Sequence, residues 1–412
     1  MQGLFHECKS NIERMSERVA ESNYQQLHHF ISDSEWSAEA VMREVGSRTA
    51  AGFEPLTGST GLIPDESGNE KAGRKSVGVA RQYIGSVGKV CSAQVGVYAA
   101  LCRESRVGLV AGKPYLPPEW TTDAGRMKAA GVPAAEQVYR TKPELAVELI
   151  EQLPAAVAYE WVGGDTIYGN SPLLRRKLRE SGRAFVLDVG EQLKVYLSDP
   201  EPLVPEVAGG GRGRKPTRPV SRERAVELRQ LVEEIKAHQW QTMEYRTGTA
   251  ERLRREAVRL PVFIRTGKGA AEVEAVWLLI SRALDGKEIK YSVCDKASSE
   301  WSLKEVLFRQ MQRYRVERAF QEIKEQLGMA QYQVRSWRAW HHHIALTMTA
   351  LHFVLETRIQ EREALPLLSC ADVKLMLARI LKNKLDEPDG LSQAIEFRHK
   401  QRQSDIVRRL RI

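Results

Sequence analysis

Residues 161–189 read WVGGDTIYGNSPLLRRKLRESGRAFVLDV, and their pattern predicts three successive elements. The apolar run before Asp165 is typical of a buried strand that ends in a loop. SPLLRRKLRESG predicts a helix with Pro172 near its start, and AFVLDV predicts a second buried strand. Since a strand, a helix and a further strand make a βαβ unit, this stretch predicts an α/β fold around it.

The residues on either side extend this prediction over residues 56–200. Residues 58–68 (GSTGLIPDESG) predict a strand that runs into a turn. Residues 76–101 (SVGVARQYIGSVGKVCSAQVGVYAAL) contain two β-like runs separated by glycine-containing turns, which is typical of a hairpin. KPELAVELIEQL, at 142–153, carries apolar residues at helical spacing. The region is therefore predicted to alternate strands with helices.

Composition and charge narrow the class of protein. A chain of 412 residues that is 42% hydrophobic and 28% charged is typical of a globular protein with two or three domains. It contains no apolar run of the roughly 18 to 20 residues that a membrane-spanning helix needs, and its start does not resemble a secretory signal. Five cysteines without a C-x-x-C pair fit a reducing cytosol. The net charge of +9 favours a polyanionic partner.

Residues 209–224 (GGGRGRKPTRPVSRER) mark a change of composition and predict a surface loop or linker. Two interpretations stay open: a solvated flexible loop, and a loop in which Arg212, Arg214 and Lys215 contact phosphates. The run ends in Lys-Pro rather than Lys-Ser or Lys-Thr and lacks the strand–loop–helix context of a nucleotide-binding loop. The sequence therefore does not support ATP binding.

Two aspartates stand at expected strand ends. Asp65 and Asp165 each follow an apolar run, and open α/β sheets gather ligands beyond the ends of their strands. Either residue could instead form a turn or cap a helix. Position alone therefore makes them candidates for metal binding without deciding between these interpretations.

A third acid, Glu317, lies inside the helix predicted for residues 301–328. Arg313 precedes it by four residues and Lys324 follows it by seven, so the three side chains share one helix face. An acid flanked by two cations can hold a divalent metal together with the phosphates on which the metal acts. Ordinary salt bridges on an exposed helix are the alternative interpretation.

Three stretches together resemble bacterial insertion-sequence transposases of the DDE type, in the branch with a β-strand insertion late in the catalytic domain. They are LIPDESGNEKAGRKSVGVARQYIGSVGKV, WVGGDTIYGN and RYRVERAFQEIKEQLGMAQYQVRSWRAWHHHIAL, and the resemblance covers most of residues 10–360. It implies a ribonuclease H-like mixed sheet flanked by helices. By motif, Asp65, Asp165 and Glu317 match the catalytic, metal-binding triad, while Arg313 and Lys324 match the signature cations.

The resemblance, combined with the spacing of the three acids, implies a domain organisation. The 152 residues between Asp165 and Glu317 exceed what two strands and a helix require, and an inserted subdomain would use them. The expected parts are a helical N-terminal region that binds DNA (1–55), the first part of the catalytic core (56–200), the inserted subdomain with the basic loop (201–298), the Glu317 helix and the helix after it (299–360), and a basic C-terminal region (361–412).

The resemblance also implies an activity. Two Mg²⁺ ions roughly 3.5–4 Å apart, for which Mn²⁺ can substitute, would activate the nucleophile and stabilise the leaving oxygen in phosphodiester chemistry. The substrates would be double-stranded DNA, namely the terminal repeats of an element and its target, bound by a homodimer in the bacterial cytoplasm at the nucleoid. Open alternatives are a metal-dependent endonuclease without strand transfer and a non-catalytic DNA-binding descendant. The start is abrupt for this family, which leaves room for upstream residues of a longer DNA-binding region.

Some features depart from the family pattern or stay ambiguous. Where relatives often carry a tyrosine, three residues before Arg313, this chain has Gln310. Trp240 and Trp277 are candidates for stacking a flipped base, as members of this branch can do, with core packing as the alternative. Residues 341–343 are three histidines whose side chains point about 100° apart on a helix, so we do not expect them to bind a metal.

Overall fold

The computed structural model describes residues 2–6, 11–20, 22–85, 87–201, 203–204, 220–221, 223–247, 252–266, 272–295, 299–331 and 335–410. The strands are β1 (Gly61–Glu70), β2 (Ala80–Ile84), β3 (Lys89–Arg103), β4 (Arg106–Pro114), β5 (Trp161–Gly164), β6 (Ala184–Asp188), β7 (Lys194–Val195), β8 (Val226–Glu227), β9 (Gln241–Thr247), β10 (Arg252–Arg265), β11 (Val273–Arg282) and β12 (Ile289–Cys294).

The helices are α1 (Gln2–Phe5), α2 (Ile12–Arg18), α3 (Tyr24–Ser32), α4 (Ala38–Gly52), α5 (Pro118–Thr121), α6 (Ala124–Ala129), α7 (Lys142–Glu151), α8 (Thr166–Gly169), α9 (Pro172–Glu180), α10 (Leu228–Glu234), α11 (Leu303–Met311), α12 (Arg313–Gln326), α13 (Trp337–Gln360), α14 (Cys370–Ile380) and α15 (Gly390–Leu410). None of those within the described residues is long and apolar enough to cross a membrane.

A mixed sheet organises the described part of the chain. Its strand order is β2-β3-β1-β5-β6-β12-β11-β10-β9, and β4 also pairs with β3. The first strands form an antiparallel meander, in which β3 pairs with β1, β2 and β4, whereas β5 and β6 add parallel to β1. Helices α7 and α9 supply buried side chains on one side of the sheet, and α12 and α13 do so on the other. The predicted fold, a ribonuclease H-like mixed sheet flanked by helices, is confirmed.

The segment expected to form an inserted subdomain continues this sheet. Its strands β9 to β12 form an antiparallel series, and β12 pairs antiparallel with β6. Strands β9 to β12 thus extend the sheet sideways through β6. The domain boundaries drawn from the sequence stay predictions.

The helix expected over residues 301–328 is divided at Gln312, between α11 and α12. The Gln312 backbone N–H donates to the Arg309 carbonyl, three residues earlier, which tightens the chain into a 3₁₀-like turn. Beyond the break, α12 buries Val316, Phe320 and Ile323. These residues recur at helical spacing and form an apolar stripe, which fixes the face of α12 that packs on the sheet.

The three consecutive histidines of α13 contact separate backbone carbonyls. The His341 ring lies against the Trp337 carbonyl, and the His343 ring lies against that of Met329. His342 faces the carbonyls of Ile31 and Trp36 and stacks on the Trp36 ring, with centroids 3.9 Å apart. The rings do not converge, and His342 joins α13 to the N-terminal helices.

A buried ion pair fastens strand β11 to helix α9. Arg175 on α9 binds both carboxylate oxygens of Glu274 on β11, with its Nε and one terminal nitrogen each at 2.9 Å. The two side chains are 2% and 1% exposed, so neither charge is stabilised by water. The more exposed Arg179 also contacts Glu274. Removing one buried partner would therefore leave the other uncompensated.

We expect Glu274→Leu to lower the free energy of unfolding by roughly 3–5 kcal/mol, because Arg175 would stay buried without its counterion. The double variant Arg175→Met/Glu274→Leu should recover much of this loss, since both buried charges are gone. Urea unfolding measures the change. In the exposed pair Arg176–Glu180, Arg176→Ala should cost less than about 1 kcal/mol. A double variant no more stable than Glu274→Leu would contradict this account.

Candidate active site

The site lies where β1 and β5 run side by side. Asp65 is in β1 and is buried, and its carboxylate accepts a hydrogen bond from the Glu66 backbone N–H at 2.8 Å. Asp165 directly follows β5 and caps α8, accepting from the backbone N–H groups of Ile167 and Tyr168. The two interpretations of Asp165 are thus compatible, because capping α8 fixes its carboxylate at the end of β5.

The structure gathers three carboxylates at this edge. Asp65, Glu66 and Asp165 each offer an oxygen, and the three oxygens lie within 4.8 Å of one another. This donor set consists of oxygen alone, which is the set that Mg²⁺ prefers. These residues can therefore hold a divalent cation, and two of them are acids that the sequence proposed.

Glu66 was missed by the sequence analysis. Neighbouring side chains in a strand point to opposite faces, so alternation argued against a site shared with Asp65. Lys142 binds one Glu66 oxygen at 2.7 Å, and the Tyr168 hydroxyl donates to the other at 3.0 Å. These two contacts fix the direction of the Glu66 carboxylate. The only signal in the sequence was its place directly after Asp65.

Crowding changes the acidity of these groups. Burial, together with the charges of Glu66 and Asp165, raises the pKa of Asp65 to about 8. Burial and the charge of Glu66 also raise the pKa of Asp165. Both carboxyls thus resist ionisation until a cation compensates them, which is an arrangement found at functional sites.

Glu317 occupies a different position from the other two proposed acids. It belongs to α12, its side chain is 49% exposed, and Arg313 binds its carboxylate. Among the described residues, the group of oxygens within 4.8 Å does not include Glu317. Arg313 links Glu317 to the other acids electrostatically. Burial lowers the pKa of Arg313, but the charges of Glu317, Asp188, Asp65 and Asp165 raise it by more, so that it stays above its usual value.

Lys324, the second proposed cation, lies on the same side of α12. Its Nζ donates to the Gly68 carbonyl of β1 at 2.8 Å. Burial lowers its pKa, and the charge of Asp65 opposes that change. Lys324 therefore ties α12 to the strand that carries Asp65. The other proposed phosphate ligands, Arg212, Arg214 and Lys215, lie outside the described residues.

A further acid, Asp188, was also missed. It ends β6, and one of its oxygens lies 3.5 Å from Arg313 Nε. Burial raises its pKa, while a hydrogen bond from Ser292 and the charge of Arg313 lower it. The signal was present in the sequence, since Asp188 ends the apolar run AFVLDV much as Asp65 and Asp165 follow theirs.

The residues that departed from the family pattern or were ambiguous have definite positions. Gln310 is buried and hydrogen-bonded, whereas Tyr314 is exposed beneath the Arg246 guanidinium, 5.1 Å from its ring centroid. Trp240 is buried in the core under Arg282, and Trp277 packs beside the core with Arg259 over its ring. In this structure both tryptophans pack in or against the core.

Sequence and structure comparisons relate this chain to known transposases. A probable transposase for insertion sequence element IS701 from Microchaete diplosiphon is 33% identical over 175 residues, which are 40% of this chain and 41% of that protein. The chain thus matches less than half the length of this relative. The structure of the piggyBac transposase synaptic complex with hairpin DNA aligns with a TM-score of 0.38 and 12% identity, over 94% of this chain and 71% of that one.

A family model described as DDE superfamily endonuclease matches residues 4–252, which is more than half of the chain. The match includes Asp65 and Asp165 and ends within the inserted strands. The protein belongs to the DDE superfamily endonuclease family.

Proposed function

We propose that this chain is a DNA transposase that cleaves the ends of an element and joins each 3′-OH to target DNA by two-metal phosphodiester chemistry. The observation that carries the proposal is the meeting of Asp65, Glu66 and Asp165, whose oxygens lie within 4.8 Å of one another. Membership of the DDE superfamily endonuclease family and the partial likeness to an insertion-sequence transposase support it.

The residues present fit divalent metal ions. Asp65 and Asp165, with Glu66 beside them, offer only oxygen ligands, and two of these carboxyls have raised pKa values that a cation would relieve. Glu317 would be the third acid of the proposed triad. Bound Mg²⁺, or Mn²⁺ in its place, would supply an activated nucleophile and stabilise the leaving oxygen.

The chain's own groups would orient this centre. Backbone N–H groups of α8 hold the Asp165 carboxylate, while Lys142 and Tyr168 hold that of Glu66. Arg313 balances part of the negative charge before metal enters. These contacts would reduce the reorganisation needed when a phosphodiester reaches the site.

Positive side chains would hold the DNA. Arg313 and Lys324 lie beside the acids, and we propose that both contact phosphates, together with Arg212, Arg214 and Lys215 of the basic loop. Affinity for DNA should then fall steeply as salt rises. We further propose a homodimer, since two element ends must be joined, acting at the nucleoid in the cytoplasm.

A metal-dependent endonuclease without strand transfer is the second candidate. The description of the matched family favours it, because that description names cleavage alone. Both candidates use the same acids and differ in whether a DNA 3′-OH or only water serves as the nucleophile.

We expect Asp65→Asn, Asp165→Asn and Glu317→Gln each to lower Mg²⁺-dependent cleavage by more than the roughly 10- to 100-fold loss typical of residues that only support a metal ligand. Each amide keeps the shape of the acid, and the amide introduced at position 165 would still cap α8. DNA binding should persist in a gel-shift assay. Glu325→Gln, on the exposed side of α12, is the matched control and should cleave normally. Full cleavage by any triad variant would remove that residue from the triad.

Strand transfer separates the two candidates. An oligonucleotide that carries the element's own terminal repeat and ends in a free 3′-OH should be joined to a supercoiled plasmid, and a 3′-deoxy end should not. Joined products that appear only with the 3′-OH would identify a transposase. Cleavage without joining, under the same conditions and in the presence of Mg²⁺, would favour the hydrolytic endonuclease.

The raised pKa of Asp65 predicts a pH dependence. The unfolded chain loses this proton near its ordinary pKa of 3.8, while the folded, metal-free protein keeps it up to about pH 8. Since the folded state then binds more protons, its stability should decline as pH rises through this window. Urea midpoints in EDTA should show this decline, and Asp65→Asn should reduce it. Asp123→Asn, at an exposed helix cap, should follow the wild type. Parallel curves for wild type and Asp65→Asn would contradict the prediction.

A further inference from the structure

A line of hydrogen bonds leads from the inserted strands to Asp188, and we call its four members, Ser281, Gln310, Ser292 and Asp188, the buried polar chain. The Ser281 hydroxyl donates to Gln310 Oε1 at 2.6 Å, and Gln310 Nε2 donates to the Ser292 hydroxyl oxygen at 2.8 Å. The Ser292 hydroxyl donates in turn to Asp188 Oδ1 at 2.5 Å. The chain is continuous, with one bond between each pair of neighbours.

The direction of every bond is set by Asp188. The Ser292 hydroxyl has a single proton, and it gives that proton to Asp188 Oδ1. Ser292 can then only accept from Gln310, which directs the NH₂ group of the amide toward it. The carbonyl end of the amide is thereby left to accept from Ser281. Asp188 and the amide orientation of Gln310 are therefore coupled.

Three of the four members of the buried polar chain are almost inaccessible to solvent, and the chain spans three parts of the fold. Ser281 and Ser292 are 0% exposed, and Gln310 is 3% exposed. The serines belong to the inserted strands β11 and β12, and Gln310 belongs to α11, just before the break at Gln312. Ser292 also lies directly opposite Asp188 where β12 pairs with β6. A hydroxyl left without a partner here would cost about 1–3 kcal/mol, which disfavours other arrangements.

The far end of Asp188 faces the catalytic helix. Its Oδ2 lies 3.5 Å from Arg313 Nε, and Arg313 binds Glu317 through a terminal nitrogen. One oxygen of Asp188 thus accepts a hydrogen bond from the buried polar chain, and the other forms an ion pair with Arg313. Among the described residues, the metal-competent group of oxygens does not contain Asp188. Its contacts are those of a residue that orients Arg313.

We propose that Asp188 is a positioning residue for Glu317: Ser292 and Gln310 fix its carboxylate, and Asp188 holds Arg313 between Glu317 and the cluster formed by Asp65 and Asp165. The inserted strands would thereby control the placement of the third catalytic acid. This inference rests on the proposed metal-dependent function.

The test changes Gln310, an uncharged member of the buried polar chain. Gln310→Met keeps the length and burial of the side chain and removes both of its hydrogen bonds without altering the electrostatics of the site. Ser292→Ala is the second variant, should Gln310→Met fold poorly. Thr347→Val is the matched control, because it removes one fully buried hydroxyl on α13 that bonds only within its own helix.

Mn²⁺ binding to the full-length, DNA-free protein is followed by calorimetry. Gln310→Met should weaken it by roughly 10-fold, at the low end of the loss seen when the support of a metal ligand is removed. The kcat for cleavage should fall with it while the KM for DNA stays unchanged. Thr347→Val should match the wild type in all three measurements. A purely structural role of Gln310 would lower the Tm and leave the Mn²⁺ affinity of the folded protein intact.

Two double-mutant cycles test whether the effect of Gln310 passes through Asp188 to Glu317. The effect of Gln310→Met should disappear in an Asp188→Asn background, and that of Asp188→Asn should shrink in a Glu317→Gln background, because each acts through the next. Additive losses in either cycle, or unchanged Mn²⁺ affinity and kcat in both Gln310→Met and Ser292→Ala, would overturn the inference. Asp65→Asn distinguishes failure of this inference from failure of the proposed function. If the wild type bound no Mn²⁺, or Asp65→Asn bound it equally well, the proposed function and this inference would both be wrong.

Discussion

Like charges repel most strongly where water is scarce, and this site gathers its acids around a single guanidinium that offsets the repulsion only in part. Arg313 interacts with Glu317, Asp188, Asp65 and Asp165, and these charges raise its pKa although burial opposes them. The compensation is incomplete, since the pKa of Asp65 is still raised to about 8. The imbalance that remains beside Arg313, Lys142 and Lys324 favours a further source of positive charge, which a divalent ion would provide.

The ends of neighbouring strands bring the acids together, and this much could be predicted from the sequence. Asp65 and Asp165 were found because each follows an apolar run, and β1 pairs parallel with β5 as such runs suggest. Asp188 ends a similar run, but the sequence could not show its role. That role depends on Ser292, which arrives in β12 about a hundred residues later and pairs with it. Glu66 was missed as a site residue because alternation in a strand describes the direction in which a side chain leaves the backbone and not how far a long side chain reaches.

The inserted segment shows the same limit at the level of the fold. An insertion was expected from the resemblance and from the 152 residues between Asp165 and Glu317. Periodicity does not determine which edge a strand joins, so the continuation of the catalytic sheet through β12 was not foreseen. A helix was expected over residues 301–328, whereas the break at Gln312 depends on one backbone hydrogen bond that no pattern of side chains encodes.

Gln310 shows why a departure from a family pattern can be structural. The two buried serines on either side of it need one acceptor and one donor at the same time, and an amide provides these on two separate atoms. A phenol hydroxyl offers both functions on one oxygen and cannot reproduce the two separate contacts of the amide. Because each unsatisfied hydroxyl would cost about 1–3 kcal/mol, the serines of the inserted strands and the amide at position 310 depend on one another. The amide at position 310 and the two serines are therefore parts of one arrangement, and Asp188 is where that arrangement meets Arg313.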